Sequence, residues 1–282
     1  MRFFIAGKKL LCENDSMADL IFLKLGGSLI TDKTVPFTPR KDKIDSLVAE
    51  IDQFLQSNKG TQLILGHGSG SFGHTAARTH GTRQGVKSPG QWKGFAEVWY
   101  QASALNRFLM DALISSGIPS VAFAPVAAII ARDGKITSWD LNPLKSALTA
   151  RLVPVVYGDV VFDDIRGGTI LSTEDLFSHL AIELHPKEIL LAGLEECVWE
   201  SFPDRTRKFD HITPVTFAKI KQGVGTALGA DVTGGMESKV KQMLELVKIM
   251  PDLTVQIFSG EESGRLLKAM KGEHIGTTIS VK

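Results

Sequence analysis

The sequence predicts an α/β protein: an open, mainly parallel sheet sandwiched between helices. Three observations carry that prediction. Short apolar runs alternate with stretches patterned at helical spacing, several of those runs end in glycine, and no internal repeat or low-complexity tract interrupts the alternation. The first run is Ile21-Phe22-Leu23-Lys24-Leu25, which passes straight into Gly26-Gly27-Ser28. Residues 39–57 then read as an amphipathic helix, with Ile44, Leu47, Val48, Ile51, Phe54 and Leu55 on one face. A strand over 62–65 leads into a glycine-rich loop, His67 to His74. Residues 91–116 form a helix stopped by Gly117-Ile118-Pro119, and 120–124 a strand. A strand over 152–157 ends at Gly158-Asp159, and 160–168 reads as a hairpin. Thr173-Glu174-Asp175 opens a helix to Leu184, and 188–191 is a strand. Gly234-Gly235 introduces a helix over 238–250, and 254–258 is the last strand.

Composition narrows the functional classes. The chain has 282 residues, 43% of them apolar and 22% charged, as in an ordinary globular protein. With 32 basic and 31 acidic side chains the net charge is +1, so no long-range field exists to hold nucleic acid or an anionic membrane. Any anion must be held by local lysines and backbone amides. Two cysteines, Cys12 and Cys197, make neither a metal-ligand pattern nor a disulfide framework, and a reducing cytoplasm is the default compartment. No apolar run approaches the roughly 20 residues of a membrane span. The opening Met1 to Lys9 breaks its apolar stretch too early for a signal peptide, and residues 1–20 read as an N-terminal extension preceding one domain over 21–282.

Three segments point to phosphate chemistry. In His67-Gly68-Ser69-Gly70-Ser71-Phe72-Gly73-His74, small residues at a strand end let backbone N–H groups approach an anion, and His74 adds a titratable donor. Lys24 sits inside an apolar strand, where burial is costly unless an anion meets it, and Lys33 follows beyond the turn. Asp231-Val232-Thr233-Gly234-Gly235-Met236-Glu237-Ser238-Lys239 places glycines at a helix start and a lysine one turn in. No Walker A pattern occurs, and Gly68, Gly70 and Gly73 lack the acidic residue of a dinucleotide fingerprint.

In this order, the three segments resemble the amino acid kinase superfamily, over about residue 21 to the C-terminus. The Ser71-Phe72-Gly73-His74 ending is similar to that of the isopentenyl phosphate kinases within it. The resemblance implies an amino acid kinase-like fold with an acceptor lobe over about 21–175 and a nucleotide lobe over about 176–282. It implies ATP- and Mg²⁺-dependent phosphorylation of isopentenyl monophosphate by a cytoplasmic homodimer. The rival readings are a kinase of another small phosphate or phosphonate such as fosfomycin, and a non-catalytic nucleotide-binding protein. Carried over residue by residue, it implies that Lys24 and Lys33 neutralise the transferring group while Gly26, Gly27 and Ser28 wrap the β/γ-phosphates. Gly70, Gly235 and Lys239 face ATP, and Ser69, Gly73, His74 and Gly158 hold the acceptor phosphate. An acidic organiser of the lysines falls at Glu174 or Asp175.

Ser69 stands where many relatives have glycine, and Gly193 to Glu200 replaces an aspartate-bearing nucleoside segment. His67 reads as a strand-end packing residue, and His80, His179, His185, His211 and His274 as structural or solvated. Trp92, Phe95, Ala96 and Trp99 form a helical stripe suited both to core packing and to walling an isoprenoid tail pocket.

Overall fold

Every residue of Leu20–Leu25 is buried, including Lys24, as expected of a strand covered on both faces. The computed structural model describes residues 19–200, 204–223 and 235–282, and places this strand inside a sheet of eight among them. Across the sheet the order is His211–Ile212, Thr277–Ile279, Thr254–Ser259, Glu188–Gly193, Leu20–Leu25, Gln62–His67, Val153–Tyr157 and Ser120–Phe123. Neighbours are parallel except at the junction of Thr254–Ser259 with Thr277–Ile279. The expected N-terminal extension lies, up to residue 18, outside the described residues.

Period-2 alternation sorts the strand side chains into two cores. Phe22, Ile64, Val156, Ile189 and Val255 face the helices Thr173–Leu184 and Gly235–Ile249. Leu23, Leu65, Val155, Leu190 and Phe258 face Lys41–Ser57 and Pro89–Ser115. Phe22 and Phe177 pack with ring centroids 5.0 Å apart and planes tilted by 53°, which fixes the Thr173–Leu184 helix over the central strand. That helix begins at a capping box. The Ser172 hydroxyl accepts from the Asp175 amide, and the Asp175 carboxylate accepts from the Ser172 amide. Asp175 is therefore a capping residue, also held by Gln242.

The glycine-rich stretch 67–74 is only partly loop. The helix Gly70–His80 starts inside it, and Gly26-Gly27-Ser28 likewise becomes a helical turn, Gly27–Ile30. A second sheet, in the order Lys135–Trp139, Ile129–Arg132, Asp159–Asp163, Gly167–Leu171, was not expected in full, nor was the helix Asn142–Thr149. Between this sheet and the helices Gly70–His80 and Pro89–Ser115 lies a third apolar cluster of Ala76, Val86, Phe95, Val98 and Val160.

Candidate active site

The parallel strands deliver their glycines to one edge. Gly26, Gly68 and Gly158 follow the ends of their strands, Gly193 ends its own, and Gly260 follows Ser259. The carboxyl edge of such a sheet is where ligands bind. Here the first two turns touch backbone to backbone. A Cβ on Gly27 would stand 2.2 Å from the Gly70 amide nitrogen, and one on Gly68 would stand 2.9 Å from that of Gly27. Gly70 has φ +50°, and a Cβ there would meet the Thr31 hydroxyl. Thr31 stitches the two turns together: its hydroxyl donates to the Gly27 carbonyl (2.8 Å) and accepts from the Ser71 amide (3.0 Å).

The amides at this junction divide into two groups. Those of Gly26, Gly68, Gly73 and Gly158 donate to the carbonyls of Ala192, Leu25, Ser69 and His67. Those of Gly27, Ser28, Ser69 and Gly70 have no acceptor among the described residues. Four N–H groups without an acceptor among the described residues, on two abutting turns, form an anion cradle. Gly158 thus offers the cradle a surface without a side chain, its amide being engaged by His67.

Lys24 lies one residue before the strand end, on the Phe22 face, and its Nζ donates to Glu174 Oε1 at 2.7 Å. A lysine snorkelling to solvent is ruled out, since Lys24 is 7% exposed. Glu174 reaches it because Gly66, its neighbour in register, has no side chain. A Cβ there would lie 2.6 Å from Thr173 Cγ2 and 2.7 Å from Phe177 Cζ, so the helix N-terminus settles into that gap. Burial pushes the Glu174 carboxyl up, but the Lys24 and Lys239 charges and the Lys24 hydrogen bond outweigh it and hold it at about 2. Lys239, in the first turns of the helix that opens at Gly235, is therefore brought to the same carboxylate. Lys33 is not: it sits on an exposed turn in which the Asp32 carboxylate accepts from the Thr34 amide and hydroxyl and the Val35 amide.

His74 lies in the Gly70–His80 helix, and its side chain is outside the described residues, as are Thr233 and Gly234. His67 is more than a packing residue. It is fully buried, its Nδ1–H donates to the Gly68 carbonyl (3.1 Å), and Nε2 lies 3.2 Å from Asn106 Oδ1. Tyr157 stacks on the ring at 5.3 Å and 11°. Burial lowers its pKa against the opposing pull of the bonds to Gly68 and Asn106, which favours the neutral ring. His80 joins Glu97 at 2.8 Å.

Two residues that sequence reasoning passed over also stand here. Ser71 Oγ and Asp159 Oδ2 are buried with no partner among the described residues. Burial raises the Asp159 carboxyl well above its ordinary range. The aromatic stripe divides. Phe95 is buried against Trp92 (5.2 Å) and Phe162 (5.3 Å), whereas Ala96 and Trp99 face solvent. In the altered segment, Glu195 accepts from Trp199 and Arg205, and Glu200 pairs with Arg207.

This arrangement is matched elsewhere. The chain is 33% identical over 267 residues to an isopentenyl phosphate kinase of Methanocaldococcus jannaschii, covering 92% of this chain and 98% of that protein. To the isopentenyl phosphate kinase of Methanothermobacter thermautotrophicus it is 31% identical over 272 residues, with 93% and 100% covered. A solved isopentenyl phosphate kinase superposes with a TM-score of 0.79 at 29% identity, over 93% of this chain and all of the other. The Thermoplasma acidophilum enzyme in its product complex superposes with a TM-score of 0.74 at 27% identity, over 92% and 99%. The model of the Amino acid kinase family matches residues 19–259. The family model matched over residues 19–259, with relatives above 30% identity over more than nine-tenths of the chain, makes this protein a member of the amino acid kinase family.

Proposed function

We propose that the protein transfers the γ-phosphoryl group of ATP to isopentenyl monophosphate, giving the diphosphate. The observation that carries this reading is the junction of two amide-bearing turns, with Lys24 buried beside it and the apolar cluster around Phe95 and Val160 close behind the second turn. Phosphoryl transfer needs positioning and charge neutralisation more than covalent participation. The amides of Gly27 and Ser28 wrap the β/γ-phosphates, that of Gly70 faces ATP, and that of Ser69 binds the acceptor phosphate. Lys24 carries its charge to the line between them and is kept in place by Glu174, while Lys239 and the helix N-terminus at Gly235 meet the nucleotide. Lys33 reaches the site only if its exposed turn folds inward. By family resemblance His74 donates to the acceptor phosphate.

ATP arrives with Mg²⁺, which supplies charge neutralisation on its phosphates. Among the described residues no cluster of three His, Cys, Asp or Glu side chains is present, and Glu174 is committed to Lys24. The residues in view therefore do not make a metal cage, and no step above passes through the ion. No described helix is long and apolar enough to cross a membrane. A cytoplasmic enzyme acting on a water-soluble phosphate fits that. Pairing into a homodimer is supported by the edge strand Ser120–Phe123, where Val121 is 39% exposed.

The test is ADP release measured over isopentenyl phosphate, dimethylallyl phosphate, geranyl phosphate, fosfomycin and acetylglutamate. The two five-carbon phosphates are expected to give the highest kcat/KM. A better turnover of acetylglutamate would show that the second turn does not read phosphate, and of fosfomycin that the tail pocket does not read an isoprenoid. His74→Ala should lower kcat/KM on the order of 10²-fold, the scale of one positioned donor.

A further inference from the structure

We propose that His67 is a positioning residue that aims the Ser69 amide at the acceptor phosphate; this rests on the reading above. The argument begins with the peptide unit between Gly68 and Ser69. In a trans peptide the C=O and the following N–H point in opposite directions, so fixing one fixes the other. The Gly68 carbonyl accepts from His67 Nδ1–H at 3.1 Å, and the Gly68 amide donates to Leu25 at 3.0 Å. Both polar groups of Gly68 are thus tied inward. The Ser69 N–H then points the other way, and it is one of the amides with no acceptor among the described residues.

The ring doing the holding is itself fixed on every side. Tyr157 stacks on its face, and Nε2 meets the Asn106 amide on the helix Pro89–Ser115. The Tyr157 hydroxyl bonds Ser103, one turn earlier on that helix. The His67 carbonyl accepts from the Gly158 amide (3.2 Å) and the Thr173 hydroxyl (2.6 Å). With the proton on Nδ1, Nε2 is an acceptor, which the Asn106 amide, whose Oδ1 lies 3.2 Å away, can serve only if a half-turn exchanges its oxygen for its NH₂. Burial alone obliges the ring to find partners, but it does not require that one of them be the carbonyl of the peptide that carries the Ser69 amide.

The two nitrogens can be separated by substitution. The amide of Asn places a donor near the Nδ1 position, and that of Gln places one near Nε2. His67→Gln should raise KM for isopentenyl phosphate about tenfold, the scale of a lost hydrogen bond that had oriented a charged partner, with KM for ATP within about twofold. His67→Asn should recover most of that loss. Equal acceptor KM values for the two variants, or an ATP KM that rises in step, would overturn the proposal and return His67 to a packing role. Should both variants fail to fold, the wild-type protein still decides: ¹⁵N-histidine spectra should show a buried, pH-insensitive ring carrying its proton on Nδ1. A ring protonated on Nε2 alone cannot donate to Gly68 and would refute the assignment. If the wild-type protein does not phosphorylate isopentenyl phosphate at all, the proposed function fails instead, and the tautomer remains a separate result.

Discussion

Replacing Glu174 by Gln removes the counter-charge of a lysine that has almost no access to water. The magnitude follows from the carboxyl itself, which burial pushes up and the Lys24 and Lys239 charges pull down from 4.5 to about 2. At about 1.4 kcal/mol per pH unit, the drop corresponds to on the order of 3 kcal/mol of folding free energy. A carboxyl whose folded pKa is depressed stabilises the protein above its unfolded pKa and loses that contribution as the pH falls through the folded value. Glu174→Gln should therefore unfold about 2–3 kcal/mol more easily than the wild type at neutral pH, since Lys24 is left buried and unpaired. The gap should close as the pH falls below 4.5, the unfolded value, toward about 2. Urea unfolding followed by circular dichroism, from neutral pH down to about pH 3, measures both curves. A gap that is absent at neutral pH, or that stays constant throughout that range, would refute the claim that the Lys24–Glu174 pair is held together by charge.

Lys24→Met should lower kcat by on the order of 10²–10³-fold while acceptor KM moves only a few-fold, because its charge acts chiefly on the group in transit; steady-state kinetics in both substrates tests this, and a dominant KM effect contradicts it. Asp159 behaves oppositely to Glu174: burial raises its carboxyl, so it favours the fold at low pH and costs stability as the pH rises through the raised value. Asp159→Asn should accordingly melt higher than the wild type at neutral pH, with the gain vanishing in acid, and a gain independent of pH would contradict that account. Phe95→Ala should destabilise by about 3–5 kcal/mol and raise the ratio of geranyl to isopentenyl phosphate turnover, whereas the exposed Trp99→Ala should shift stability by no more than about 0.5 kcal/mol and leave the ratio alone. Melting curves and paired turnover assays separate the two, and a ratio changed by Trp99→Ala would place that side chain in the pocket.

Much of this fold was legible because buried parallel strands write themselves as apolar runs. Lys24 stood out for the same reason: a charge inside such a run has to be answered. The partner that answers it narrows to Glu174 or Asp175, and the Lys24–Glu174 contact together with the capping role of Asp175 separates them. Gly66 falls between the strand expected over 62–65 and the loop from His67 and draws no reading, because its importance lies in the helix that settles on it, 107 residues further on at Thr173. Sequence spacing carries no trace of that register. The hairpin Ile129–Arg132 to Lys135–Trp139 did leave a signal that went unread. Asp133-Gly134 sits between alternating runs, and its φ values of 51° and 76° match the I′ turn that this dipeptide favours. Lys33 was assigned from resemblance, and the structure leaves it on an exposed turn. Trp99 was placed in an aromatic stripe by spacing, yet the buried face of its helix runs through Gly94, Phe95, Val98 and Ala102 instead.

The contact between Gly27 and Gly70 acts as a spacer of fixed thickness. On the proposed reading, nothing thicker than two peptide backbones separates the donor side from the acceptor side, and any side chain added at Gly27 or Gly70 would collide with main chain. On that reading, the distance over which a phosphoryl group travels is decoupled from whatever lies at the far end of the acceptor. Walls around Phe95 and Val160 can be carved or filled to admit other tails without lengthening that path. Selectivity for the tail could then drift while the backbone contact between Gly27 and Gly70 stays as it is.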